Sequence, residues 1–265
     1  MKNRESLLAE TELFVLDMDG TFYLGEKVLD GALDFIETVR KLGRRFLFFT
    51  NNSSKSPTLY MEKLEKMGCP IRREEIMTSG DVTAAYLNSR YPKARVYLVG
   101  TETLEADFAK KGITLIQEEP DVVVVSFDIS LTYEKLEKAC SFIRKGAVFL
   151  ATHLDINCPT EDGMIPDCGA ICAAVSLSTG VKPRFLGKPF PETMDMILQF
   201  TGAERARTAF VGDRLYTDIA AGVKNGAKGF LVLTGETSRS EAWNGEVKPD
   251  AVYESLGEMG KLLSG

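Results

Sequence analysis

The stretch LFVLDMDGTFY, Leu13 to Tyr23, decides how this chain of 265 residues is read. Four consecutive apolar residues, Leu13 to Leu16, predict a short, fully buried strand. The strand runs directly into two carboxylates, Asp17 and Asp19, followed by Gly20 and Thr21. Like charges at the end of a buried strand are costly unless a cation or a developing positive centre uses them. An ordinary Asp-Gly turn would account for the motif taken alone, so its meaning depends on the rest of the chain.

Outward from this strand, strand and helix patterns alternate, which predicts a parallel α/β architecture. A helix is expected from about Asp30, with Leu33, Ile36, Val39 and Leu42 on one face and Gly43 as its stop. RRFLFFTNN (44–52) is a second buried strand ending in polar residues, and Ser56-Pro57 opens a helix closed by Gly68. TAFVGDR (208–214) again leads a strand into an acid, followed by a helix, the strand KGFLVL (228–233), and a last strand and helix in DAVYESLGEMGKLL (250–263). The middle repeats the alternation independently: RVYLVG, DVVVVSFD and AVFLAT as strands, with TETLEADFAKKG, TYEKLEKACSFIRKG and AICAAVSLSTG as helices. A Gly/Pro/Asp-rich loop, His153 to Gly169, precedes the last of these. About 100 residues suffice for a domain. The expectation is a catalytic core from 1–80 and 184–265, interrupted by an inserted α/β cap at 81–183, with crossings at Thr78–Asp81 and Gly180–Phe185.

The composition is that of a soluble globular protein, 44% hydrophobic and 26% charged. With 32 basic and 38 acidic side chains the net charge is −6, which argues against nucleic acid as a partner. No apolar run approaches a membrane span, and the start MKNRESLLAE has no signal-peptide core. No membrane partner and a cytoplasmic location are expected. The five cysteines lack paired C-x-x-C spacing and read as buried thiols rather than a zinc site. His153 is the only histidine, so Ser-His-Asp or Cys-His chemistry would hang on it alone, and no G-x-S-x-G elbow is present. Any catalysis belongs to carboxylates, lysine and metal.

Three strand ends carry polar chemistry: Asp17-x-Asp19, Thr50-Asn51-Asn52 and Gly212-Asp213. The carboxyl ends of parallel strands are where open α/β sheets bind ligands. A fourth element, LGKPFPE (186–192), adds Lys188 between turn formers. Taken singly, each has a bland reading: a strand terminator, a surface lysine, Asp218 as a helix cap. Together they suit a hard cation and a phosphate, since Mg²⁺ takes a few carboxylate oxygens plus phosphate oxygens.

The four in this order resemble the haloacid dehalogenase superfamily: DMDGT (17–21), TNN (50–52), the GKP lysine (Lys188) and GDRLYTD (212–218). LGEKVLDGALDFIETVRKLGRRFLFFTNNSS, FIRKGAVFLATHLD and CGAICAAVSLSTGVKPRFLGKPFP are similar to the NagD-like branch, which includes p-nitrophenyl, phosphoglycolate, pyridoxal and nucleotide phosphatases. The resemblance implies a Rossmann-like core and a Mg²⁺-dependent hydrolase of small phosphomonoesters. It implies Asp17 as the nucleophile that becomes an aspartyl-phosphate, and Asp19 as general acid and base. A carboxyl beside another has a raised pKa, which would help Asp19 hold its proton. It implies Mg²⁺ on Asp17, Asp213 and the Asp19 carbonyl, with Asp218 in or just behind that shell. It gives phosphate binding to Thr50, the Asn51 amide and Lys188, with Lys188 also orienting Asp17.

One departure is His153-Leu154-Asp155, where the branch often has Asn-Pro-Asp; the loop PTEDGMIPDCGA is otherwise similar. His153 therefore sits where the cap can face substrate, and with Asp155 it is expected to tune specificity, the other reading being the commoner structural role of a lone histidine. The alternatives are a phosphotransferase or phosphomutase using the same nucleophile, or a non-catalytic ligand-binding protein that kept the fold. A nucleotide-binding dehydrogenase is disfavoured because no G-x-G-x-x-G follows a strand. A homodimer is left open.

Overall fold

The computed structural model describes residues 3–160 and 163–265, so Glu161 and Asp162 of the cap loop lie outside the described residues. The chain forms two compact units, one of residues 1–50, 60–77 and 188–265, the other of residues 51–59 and 78–187.

The first unit is built on a six-stranded sheet. Its strands are β1 (Leu13–Leu16), β4 (Arg45–Thr50), β5 (Ile76–Thr78), β13 (Thr208–Gly212), β14 (Lys228–Val232) and β15 (Ala251–Tyr253), in the order β15-β14-β13-β1-β4-β5. Pairing from β4 across to β15 is parallel, with Leu13 opposite both Thr208 and Arg45. All four residues of β1 are buried, as a strand covered on both faces requires. One face presents Phe14, Leu16, Phe46, Phe48, Val211 and Phe230 to the helices Ala32–Lys41 and Leu256–Ser264. Phe14 meets Phe35 edge-on at 5.4 Å, and Phe22 meets Phe48 at 4.9 Å. Each such ring contributes about 1.5–3 kcal/mol by leaving water.

The first helix turns a different stripe inward than its Leu33/Leu42 spacing suggests. Ala32, Phe35, Ile36 and Val39 are buried while Leu42 is exposed, because the Phe35 ring has Phe14 to pack against. A two-strand hairpin, β2 (Tyr23–Leu24) with β3 (Lys27–Val28), follows the Asp-Gly turn.

The second unit has its own parallel sheet. Its strands are β6 (Arg95–Val99), β7 (Thr114–Leu115), β8 (Val122–Val125), β9 (Val148–Ala151) and β12 (Arg184–Phe185), in the order β12-β9-β8-β6-β7. Tyr97, Val99, Val123, Val125 and Phe149 pack with Ala139 and Ile143 of the helix Tyr133–Arg144 and with Ile171, Cys172 and Val175 of the helix Cys168–Thr179. All five cysteines are unpaired thiols, four of them buried.

The crossings differ in detail from the sequence reading. Thr78 ends β5 and caps the helix Ser79–Arg90, its hydroxyl accepting from Asp81 N–H while the Asp81 carboxylate accepts from Thr78 N–H. The crossing expected at Thr78–Asp81 is thus built as a capping box, with the boundary between the units at Met77/Thr78. Arg184–Phe185 is an edge strand of the second sheet, so the return falls at Gly187/Lys188. The loop before Gly169 contains an antiparallel pair, β10 (Asn157–Thr160) with β11 (Gly163–Pro166). Among the described residues no helix is long and apolar enough to cross a membrane.

Candidate active site

Because β4, β1 and β13 are parallel neighbours, their carboxyl ends share one edge of the sheet. Asp17 leaves β1 with its N–H on the Val211 carbonyl, 2.9 Å away. Thr50 is the last residue of β4, and Asp213 directly follows β13. Lys188 reaches in from the return of the chain. Its Nζ lies 2.6 Å from Asp17 Oδ1, 2.6 Å from Asp218 Oδ1 and 3.3 Å from the Phe49 carbonyl, and only 3% of its side chain is exposed. A lysine so buried keeps its charge through its partners. Burial alone would lower its pKa, but Asp17 and Asp218 more than offset that and raise it above the ordinary lysine value.

Asp17, Asp213 and Asp218 each offer a carboxylate oxygen within 4.8 Å of the others. Burial and the nearby Asp17 charge push Asp213 up from the ordinary carboxylate range, against the Glu236 N–H and Arg214. Burial likewise raises Asp218, against Lys188. One lysine does not neutralise three carboxylates. Asp213 Oδ2 accepts the Glu236 N–H at 2.7 Å, while its buried Oδ1 has no hydrogen-bond partner. A buried carboxylate oxygen without a donor, beside two more acids, fits a hard divalent cation.

Asp19 lies on the other side of the turn. Met18 between the two acids is buried in the core, and Asp19 is exposed, bridging to Tyr23. The turn is fixed by the Met18 carbonyl, which accepts Phe22 N–H at 2.8 Å, and by Gly20 N–H on the Tyr23 carbonyl.

The second unit holds the remaining residues singled out in the sequence. Asn51 is buried, and its Nδ2 donates to Asp155 at 3.2 and 3.4 Å. His153 is fully buried, Nε2 2.8 Å from Asp167 Oδ1 and Nδ1 2.9 Å from Thr152 Oγ1. The expectation that His153 faces substrate is corrected here. The ring is 0% exposed and both nitrogens face partners inside the unit. Asp155 is buried as well, at 7% exposed, and is engaged with Asn51.

A family model described as haloacid dehalogenase-like hydrolase matches residues 14–114, and a HAD-hydrolase-like model matches residues 185–259. An acid sugar phosphatase of Staphylococcus aureus is 37% identical over 252 residues, 95% of this chain and 97% of its own. The chain belongs to the haloacid dehalogenase-like hydrolases. Among solved structures, a 4-nitrophenylphosphatase of Thermotoga maritima superposes with a TM-score of 0.93 at 46% identity, covering 96% of this chain and 98% of its own. A p-nitrophenyl phosphatase of Archaeoglobus fulgidus reaches 0.90 at 30% identity, covering 95% and 98%. These relatives place the chain among the phosphatases of the family.

In this haloacid dehalogenase-like hydrolase, residues that the motifs did not single out complete the acidic site. The segment after β14 wraps Asp213: the Thr237 N–H donates to the Asp213 carbonyl, and Thr234 Oγ1 donates to the Gly20 carbonyl at 2.7 Å. A Cβ on Gly235 would overlap the Asp213 carboxylate, so only glycine lets the chain pass so closely. Arg214 lies beside the acids, which raise its pKa against burial, and its Nε is 2.9 Å from Glu236 Oε2. The sequence signals were a glycine just after a strand and a cation next to Asp213, neither distinctive by itself.

Proposed function

We propose that the protein is a Mg²⁺-dependent phosphomonoester hydrolase acting on small phosphorylated metabolites through an aspartyl-phosphate. The observation that carries this reading is Lys188 shared between Asp17 and Asp218, beside an Asp213 oxygen that lacks a donor. Asp17, Asp213 and Asp218 are the side chains that would hold the ion, together with the Asp19 carbonyl. When bound, Mg²⁺ offsets the repulsion between Asp17 and a phosphate dianion and stabilises charge in the transition state.

The protein's own groups divide the work. Asp17 Oδ attacks phosphorus, and the bond from phosphorus to the leaving oxygen breaks as Asp19 gives that oxygen a proton. Asp19 then takes a proton from water, whose oxygen attacks the aspartyl-phosphate and releases inorganic phosphate and the free Asp17 carboxylate. General acid and base roles of this kind are worth about 10²–10⁴-fold. Asp19 is suited to meet a leaving group because it points away from the core while Asp17 points toward Lys188. Lys188 fixes the Asp17 rotamer and, with Thr50 and the Asn51 amide, binds the phosphate oxygens.

The name of the Staphylococcus aureus relative makes sugar phosphates the first metabolites to try, with p-nitrophenyl phosphate as a reporter. A cytoplasmic location is compatible with the chain's composition. The test is phosphate release from sugar phosphates, nucleotides, phosphoglycolate, pyridoxal phosphate and p-nitrophenyl phosphate, with Mg²⁺ and with EDTA. Metal-dependent release from at least one ester is expected. No release from any ester with Mg²⁺ would favour the non-catalytic reading, and transfer to an added alcohol in place of release would favour a phosphotransferase.

A further inference from the structure

The second unit buries a polar cluster that the reaction scheme does not use. At its centre is His153, directly after Thr152 at the end of β9. Asp167 caps the helix Cys168–Thr179, its Oδ1 accepting the Cys168 N–H and lying 2.8 Å from His153 Nε2. On the other side of the ring, Nδ1 lies 2.9 Å from Thr152 Oγ1 and 3.5 Å from Ser79 Oγ. Ser79 Oγ in turn donates to the backbone carbonyl of Asn51.

Counting hydrogens assigns the direction of each bond. The single hydroxyl hydrogen of Ser79 goes to the Asn51 carbonyl, so toward His153 its oxygen can only accept. With the Thr152 hydroxyl directed to Cys168 Sγ at 3.6 Å, its oxygen also accepts toward the ring, and both contacts call for a proton on Nδ1. Nε2 faces a carboxylate and must carry one as well. These contacts suit an imidazolium with both N–H groups donating. Its surroundings agree. Burial alone would lower the His153 pKa, but Cys168, Asp167 and Asp155 more than offset it and hold it at about 9. His153 in return helps pull the Cys168 thiol below its ordinary value, against burial.

Asn51 is pinned from two directions. Ser79 holds its carbonyl, and Asp155 accepts from its side-chain amide. Gly187 passes so close that a Cβ there would lie 2.7 Å from Asn51 Oδ1 and 2.8 Å from His153 Cβ, so a larger residue at 187 would displace both. We propose that His153, anchored by Asp167, is a positioning residue for the phosphate site: through Ser79, and beside the Asp155–Asn51 bond, it locks residue 51 in the one backbone conformation that aims its N–H at a phosphate oxygen. The inference rests on the phosphatase reading and gives His153 a task that does not depend on the leaving group. A donor locked before substrate arrives costs no reorganisation when phosphate binds.

The test is steady-state kinetics on p-nitrophenyl phosphate with inorganic phosphate as competitive inhibitor, for wild type, His153→Gln, Ser79→Ala and the double variant, each with its melting temperature. KM and the phosphate Ki should rise together by about tenfold in either single variant, the scale of one well-made hydrogen bond, with a smaller change in kcat. The double variant should be no worse than the poorer single one, because both act on the same carbonyl. Equal effects on esters with small and bulky leaving groups are expected. A lowered melting temperature with unchanged KM and Ki would make His153 a core residue only and overturn the proposal. If His153→Gln does not fold, Ser79→Ala decides by the same criterion. A wild type that neither hydrolyses the ester nor binds phosphate would instead overturn the phosphatase reading.

Discussion

Lys188→Met isolates the charge balance of the site. Methionine keeps most of the side-chain volume and removes the ammonium that contacts both Asp17 and Asp218 at 2.6 Å. Three carboxylates are then left with no lysine among them, two of them at most 2% exposed. Removing one partner from a buried ion cluster costs about 3–5 kcal/mol. For a chain of this size, that corresponds to a melting temperature roughly 6–20 °C lower. The assay is thermal unfolding followed by circular dichroism at neutral pH, once with EDTA and once with saturating Mg²⁺. Because a dication supplies the missing positive charge, the gap between variant and wild type should be wide in EDTA and narrower in Mg²⁺. Adding Asp218→Asn to Lys188→Met should recover stability in EDTA by removing one stranded charge. Hydrolysis should fall by about 10²-fold or more in Lys188→Met under both conditions, as for loss of a preorganised transition-state partner. A variant that melts with the wild type in EDTA, or a double variant less stable than Lys188→Met alone, would refute the claim that Lys188 holds these acids together.

Three further outcomes test neighbouring links. Asp17→Asn should abolish steady-state turnover while leaving the melting temperature near that of wild type, since amide and acid are nearly isosteric; turnover in protein checked for deamidation would end the covalent scheme. Asp213→Asn should raise the Mg²⁺ concentration for half-maximal rate, and Ca²⁺ should inhibit the wild type because its larger, looser shell disturbs in-line attack; an unchanged metal requirement would remove Asp213 from the site. For His153, the folded pKa of about 9 lies above the ordinary value of 6.5, so its contribution to stability is fully present below about pH 6.5 and is lost as pH rises through about 9. The groups facing it are Asp155, Asp167 and Cys168, with Cys172 behind Cys168. The melting-temperature gap between wild type and His153→Gln should therefore narrow across that window, and a gap independent of pH would mean the ring is not held as an imidazolium.

Local pattern was enough for the architecture and for placing polar residues at the strand ends. A buried strand is an apolar run, and LFVL, FLFF and VVVV are such runs whatever surrounds them. Parallel strands between helices put their carboxyl ends on one edge, so Asp17, Thr50 and Asp213 could be assigned to one crevice from chain order. Lys188 was legible only as part of a motif, because a lysine in a turn is ordinarily solvated. Tertiary structure brings it across 171 residues to Asp17 and buries it. The sense of His153 was decided the same way. A lone histidine in a polar loop faces either solvent or core, and nothing local distinguishes them. The answer came from Asp167, Ser79 and Thr152, which supply enough hydrogen-bond partners to bury the ring. The crossing at Thr78–Asp81 is legible from its polar residues, but that they form a capping box depends on the helix that follows. Strand and helix follow from the repeat of apolar residues along the chain. Which polar residues are buried follows from charges and hydrogen-bond partners that lie far apart in sequence, and those are present only once the chain has folded.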